Sequence, residues 1–334
     1  MAVTIDIFNP QVSTIAKGLA GKSLFIYGGN NVGKTFVATR LSKPYMIMAE
    51  SGLNAQSNVK FNRFNKWSDI NKVIKQFTDP ATVDKARAMY DTIVIDEVYA
   101  VSLLCQDYII STYGDGALTL GDSEGKINLY QQYEKVFFKA INKLLSCDYT
   151  VVFIGHAVES KSGQMYPKGD KRCLNPIIDN CDFTIYVESN GVDEKGDVIK
   201  SSAYLAETKD YFARSRFEGC PTKIETFTAE TLEAAINEAV EKTAEMNDAT
   251  TVTFAEQKAT TETAVVDYDE TMAALKQIGQ KMAKAGYTTE LTEIVEGTLG
   301  VGKRVVDCTK KQIEAMVIIL DALKEKAAEL GLEV

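Results

Sequence analysis

No two cysteines of this 334-residue chain have C-x-x-C spacing, and His156 is its single histidine. The six cysteines are scattered at 105, 147, 173, 181, 220 and 308. That pattern argues against a zinc site and a disulfide framework, and for reduced thiols in a cytosol. The N-terminus, MAVTIDIFNP, lacks a basic start followed by a long apolar stretch, and no apolar run approaches bilayer-spanning length. A soluble, cytoplasmic protein with no membrane partner is expected. An excess of positive charge is also missing. The formal net charge of -9 speaks against coating nucleic acid with the whole surface, yet leaves room for a local basic groove.

What is present is ordinary globular usage, 45% hydrophobic and 25% charged, at a length suited to one large domain plus a smaller one. Apolar runs at 23–27, 45–49, 92–95 and 149–154 read as buried strands, with further strands near 58–62, 182–188, 202–207 and 223–228. Helices are expected at 33–42, 67–77, 81–89, 98–111, 127–146 and 229–246, and polar loops at 113–126 and 156–172. Strands alternating with helices imply an α/β fold, with a mostly parallel central sheet flanked by helices. The core domain is placed at 1–246. Residues 247–266, rich in Thr and Ala, read as a linker. Helical stripes of Met272, Leu275, Ile278, Met282 and of Ile313, Met316, Val317, Leu320, Leu323 give a small helical tail domain over 267–334.

The run Gly28-Gly29-Asn30-Asn31-Val32-Gly33-Lys34-Thr35 follows strand SLFIY and opens a helix. Its glycines let the backbone turn tightly, so that successive N–H groups can point at phosphate oxygens. Lys34 is then expected to reach the β and γ phosphates of ATP, and the Thr35 hydroxyl to ligate Mg²⁺. Strand TIVI ends in Asp96, an acid suited to the same metal, although Asp also favours a helix N-cap. Hydrolysis needs a carboxylate to orient or deprotonate water. Glu97, directly after Asp96, and Glu50, at the end of YMIMA, are the candidates. His156 follows strand YTVVFIG at the same rim, either sensing the γ-phosphate or capping a strand.

Lys209, Arg214 and Arg216 lie in ETKDYFARSRFEG. Arginines at i, i+2 on an extended segment point the same way and can stabilise γ-phosphate charge in a neighbouring subunit. On an edge strand they would instead blunt aggregation. Residues 157–172 carry Lys161, Lys168, Lys171 and Arg172 around Tyr166. That set can track single-stranded DNA and stack a base, or belong to a plain surface loop.

Residues 20–228 resemble the RecA-like P-loop ATPases, especially those of bacteriophages. MAESGLNA is similar to the segment carrying the catalytic glutamate of RecA proteins, which favours Glu50 as base. IVIDEV resembles the Walker B strand. LTLGDSEG, a long helix and VVFIGHAVES resemble the first DNA loop, its helix and the sensor strand, although this first loop is acidic. His156 stands where that family has an amide side chain. Residues 157–172 occupy the place of the second DNA loop, and ARSRFEG is similar to the paired basic finger. The resemblance implies a homo-oligomer, ring or filament, with shared ATP sites, acting on single-stranded DNA in recombination or strand annealing. The tail lies outside it and is a candidate for binding a protein partner. A replication helicase or loader, a P-loop kinase and a nucleotide-gated scaffold are the alternatives.

Overall fold

The computed structural model describes residues 7–8, 10–122, 127–261 and 266–332. The chain forms two compact units. One spans Val12–Ala259; the other comprises the described residues before Val12 and after Ala259.

The larger unit is built on a ten-stranded sheet. In chain order its strands, with a small accessory pair, are β1 Ile15–Ala16, β2 Ser23–Gly28, β3 Pro44–Met48, β4 Lys60–Arg63, β5 Thr92–Asp96, β6 Thr150–Glu159, β7 Met165–Pro167, β8 Phe183–Glu188, β9 Ser202–Tyr204, β10 Arg214–Ser215, β11 Lys223–Ile224 and β12 Thr251–Val252. The spatial order is β11-β9-β8-β2-β6-β5-β3-β4, with β10 beside β8 and β7 beside β6. From β8 to β4 all neighbours pair in parallel, while β7, β9, β10 and β11 run antiparallel to theirs. Its helices are α1 Lys34–Ala38, α2 Trp67–Thr78, α3 Val83–Met89, α4 Val98–Tyr113, α5 Leu129–Leu145, α6 Lys171–Ile178, α7 Ala229–Met246 and α8 Phe254–Thr261.

The central strands are apolar on both faces because both are covered. Phe25, Tyr27, Ile47, Ile93 and Phe153 pack with residues of α2, α4, α5 and α6. Leu24, Ile26, Met46, Val94 and Val152 pack with α1 and α7. Each such side chain contributes roughly 1.5–3 kcal/mol on burial. A one-residue slip would exchange the two faces, so the register is held firmly. That register brings Gly28 level with His156, and Met48 level with Asp96. The carboxyl ends of β2, β3, β5 and β6 therefore share one rim.

Several elements depart from the sequence reading. α1 ends at Ala38 rather than 42, because the Arg40 and Leu41 N–H groups bond three residues back, to Val37 and Ala38, and Lys43 takes a left-handed φ of 37° before Pro44. The segment 156–172, expected as a loop, is a continuation of β6, a hairpin with β7 and the start of α6. Asp170 caps α6 by accepting from the Arg172 and Cys173 N–H groups. The strands expected at 202–207 and 223–228 stop at Tyr204 and Ile224. Within 247–266, read as a linker, β12 pairs with β1 and α8 follows.

The smaller unit holds α9 Tyr268–Lys284, α10 Thr288–Leu299 and α11 Ile313–Glu329. Met272, Leu275, Ile278 and Met282 meet Met316, Ile319, Leu320 and Leu323 in its core. No described helix is long and apolar enough to cross a membrane.

Candidate nucleotide site

The turn after β2 is shaped by backbone demands. A Cβ on Gly28 would lie 2.3 Å from the Val187 carbonyl oxygen, so only glycine permits β2 and β8 to approach as they do. Asn31 and Gly33 both take left-handed backbone angles, φ 60° and 88°. Gly33 has no neighbour within 4 Å of its would-be Cβ, so the turn opens onto free space. Among the described residues, no protein carbonyl accepts from the backbone N–H groups of residues 30–35. A concave run of unmatched N–H groups is an anion cradle.

Lys34 is 7% exposed, and its Nζ donates to the carbonyls of Gly28 at 3.1 Å and Gly29 at 2.5 Å. Burial lowers its pKa to about 8, against the pull of Asp96 and Glu97. Thr35 Oγ1 donates to Asp96 Oδ2 at 2.6 Å across the junction of α1 and β5. Asp96 is 7% exposed; burial raises its carboxyl, opposed by the Thr35 hydrogen bond and the Lys34 charge.

Glu97 is 3% exposed and caps α4, its two oxygens accepting from the N–H groups of Tyr99 at 3.3 Å and Ala100 at 3.2 Å. Burial lifts its pKa to about 7, against those two hydrogen bonds. Glu50, half-exposed, brings Oε2 to 3.9 Å from His156 Nε2. Ligand atoms of Glu50, Glu97 and His156 all lie within 4.8 Å of one another. His156 is held below its ordinary pKa, first by burial and then by Lys34. One corner thus collects a buried ammonium, a hydroxyl–carboxylate pair, two further carboxylates and an imidazole. A hard divalent cation with a polyphosphate suits that donor set: oxygen ligands from Thr35 and Asp96, and donors from Lys34 and the bare N–H groups.

The sequence of residues 20–217 matches a family described as an AAA domain, AAA_24. The chain belongs to that family. It is a P-loop domain of the AAA type, an ATPase fold, and family membership implies nucleotide binding with Mg²⁺. The SPbeta prophage-derived uncharacterized protein YorG of Bacillus subtilis (strain 168) is 47% identical over 332 residues, covering 98% of this chain and all of the relative.

Other candidate residues of this AAA-domain chain lie elsewhere. β10 runs beside the amino end of β8, opposite the rim of the phosphate turn. There Arg214 donates to the Ile178 carbonyl at 3.0 Å and Arg216 to that of Asp179 at 2.7 Å, satisfying the carboxyl end of α6. Arg214 is level with Phe25, three residues or roughly 10 Å along β2 from Gly28, and its side chain bonds to the end of α6. Both guanidiniums are hydrogen-bonded at that opposite rim of their own subunit, whereas the expected finger role concerns a neighbouring subunit's site. Lys209 is exposed in a turn whose neighbours Thr208 and Asp210 bond to Gln164 and Met165 of the hairpin. Lys161 is exposed in the hairpin turn, and Lys171 at the first position of α6. Arg172 pairs with Glu134 at 3.0 Å and lies over the Tyr130 ring at 4.4 Å. The Tyr166 ring is partly buried and packs on Phe212, with centroids 5.0 Å apart, at the margin of the core. Of the acidic loop, residues 123–126 lie outside the described residues.

The sequence reading missed the placement of Lys168. Its N–H donates to the His156 carbonyl at 2.8 Å, which returns the chain to the site. The alternation in HAVESKSGQMYP around a Ser-Gly turn was the available hairpin signal.

Proposed function

We propose that this chain is a RecA-like ATPase that hydrolyses ATP on single-stranded DNA, in recombination or strand annealing, as an assembly of identical subunits. One observation carries the proposal. The corner that holds Lys34 and the Thr35–Asp96 pair continues, through His156 on β6, into the exposed cation-bearing hairpin of β6 and β7. A change at the phosphate end of β6 thereby has a direct route to a surface suited to a nucleic-acid backbone.

Lys34 exchanges the Gly28 and Gly29 carbonyls for phosphate oxygens. Thr35 and Asp96 would hold magnesium, which when bound neutralises charge on the β and γ oxygens. Glu50 serves as the base. It takes a proton from water as the water oxygen bonds to the γ-phosphorus; the bond from that phosphorus to the β–γ bridging oxygen breaks, and its electron pair leaves with ADP. Glu50 suits this role better than Glu97 because both Glu97 oxygens are occupied by the first turn of α4. His156, 3.9 Å from Glu50, orients that carboxylate and reports its state along β6. Lys161, Lys171 and Arg172 are the cations available to phosphates of DNA.

The test is ATP turnover with and without single-stranded DNA, read alongside particle size. Turnover stimulated by DNA and lost in Lys34→Ala is expected. Retained turnover in Lys34→Ala removes the site assignment, and indifference to DNA removes the nucleic-acid half of the proposal. Pairing of complementary strands without unwinding would separate annealing from a helicase.

A further inference from the structure

The place where γ-phosphate charge would gather is faced by Glu50, Glu97 and His156, whose ligand atoms lie within 4.8 Å of one another. Two carboxylates on that side repel the very charge that phosphoryl transfer accumulates. A cation is needed on that side as well, since Lys34 meets the phosphates from the turn after β2. Arg214 and Arg216 are tied to α6 carbonyls at the opposite rim.

Lys168 stands on the correct side. The register Ala157↔Pro167 sets it across from His156, and its N–H bonds to the His156 carbonyl at 2.8 Å. Its ammonium lies 5.7 Å from the centroid of the Tyr99 ring, in the first turn of α4 directly after Glu97. Gly169 holds the chain close: its would-be Cβ comes 3.3 Å from Leu174 and 3.5 Å from Tyr99. The charge of Lys168 acts on both Glu97 and His156. Among the described residues no carboxylate forms an ion pair with it, and the residue is exposed.

We infer that Lys168 is a catalytic residue of this site, the ammonium that meets γ-phosphate charge from the hairpin side within the same chain. The inference rests on the ATPase reading above. It makes the hairpin part of the catalytic apparatus: whatever seats the hairpin seats Lys168.

The experiment compares wild type, Lys34→Ala, Lys168→Ala, Lys168→Arg and Lys195→Ala. It measures steady-state ATP turnover without DNA and equilibrium binding of a fluorescent ATP analogue. Lys168→Ala is expected to lower kcat by about 10²-fold. Analogue affinity should stay within about threefold, the pattern of an interaction made in the transition state. Lys168→Arg should recover part of the rate, and Lys195→Ala, at an exposed lysine between β8 and β9, should match wild type. Undiminished kcat in Lys168→Ala, beside an inactive Lys34→Ala, overturns this inference alone. A rate loss explained wholly by lost analogue binding overturns it as well. A wild-type protein that binds but never turns over ATP overturns the ATPase reading, and the role of Lys168 falls with it.

Discussion

Glu97 couples the site to pH through burial. Its carboxyl rises from an ordinary value of 4.5 to about 7 because folding removes it from water. Between those values the folded chain holds a proton that the unfolded chain has released. This contribution to stability is full below pH 4.5 and is lost as pH rises through 7, on the order of 3 kcal/mol. Glu97→Gln, compared with wild type without nucleotide, should flatten the fall of Tm across that window; parallel profiles would show that Glu97 does not titrate this way. Arg214 makes the opposite kind of contribution, tying β10 to the end of α6 through a charged hydrogen bond. Arg214→Ala should lower unfolding free energy by about 1–2 kcal/mol, while turnover per folded molecule is unchanged. Turnover abolished in a stable variant would assign Arg214 to the ATP site of a neighbouring subunit.

At the level of elements, β2 does the most. It is buried along its whole length, pairs with β6 and β8, and delivers the chain into the phosphate turn. Gly28 is where these duties meet, because the Val187 carbonyl leaves no room for a side chain. Gly28→Ala should push β2 from β8, costing about 1–3 kcal/mol in urea unfolding and weakening ATP binding together with stability. An unaltered midpoint would show that β8 gives way freely. The strand–turn–helix around this residue was legible because SLFIY is unbroken and the glycine spacing has few uses. The β6–β7 hairpin was not. Its polar, lysine-rich composition resembles a surface loop, and what holds it is Met165, which bonds to Asp210 and Phe212, residues far along the chain. Pro176 and the preceding KGDK likewise masked α6, whose cap, Asp170, becomes evident only from its hydrogen bonds.

On the scale of the whole molecule, each unit has a core of its own. The AAA-domain unit also claims residues that composition assigned to a linker. β12 pairs with β1, Phe254 fills the space over Gly21, and Lys258 lies 3.0 Å from Asp148. A fragment ending at 259 should therefore fold and bind ATP, whereas one ending at 246 should be less stable by several degrees in Tm. Equal stability of the two would make α8 dispensable.

The amino-acid sequence by itself determined the periodic parts: the two-faced apolar strands, the amphipathic helices, and the glycine turn with Lys34 and Thr35 after it. Such features follow from local spacing, which a linear pattern records. Tertiary structure decided which acids and cations meet. Glu50, Glu97 and His156 converge because three parallel strands end level, Lys168 returns to them because a hairpin doubles back, and Arg214 and Arg216 are drawn off by α6. Those outcomes depend on strand order and long-range pairing, and on burial, which moves each pKa only once the neighbours are in place.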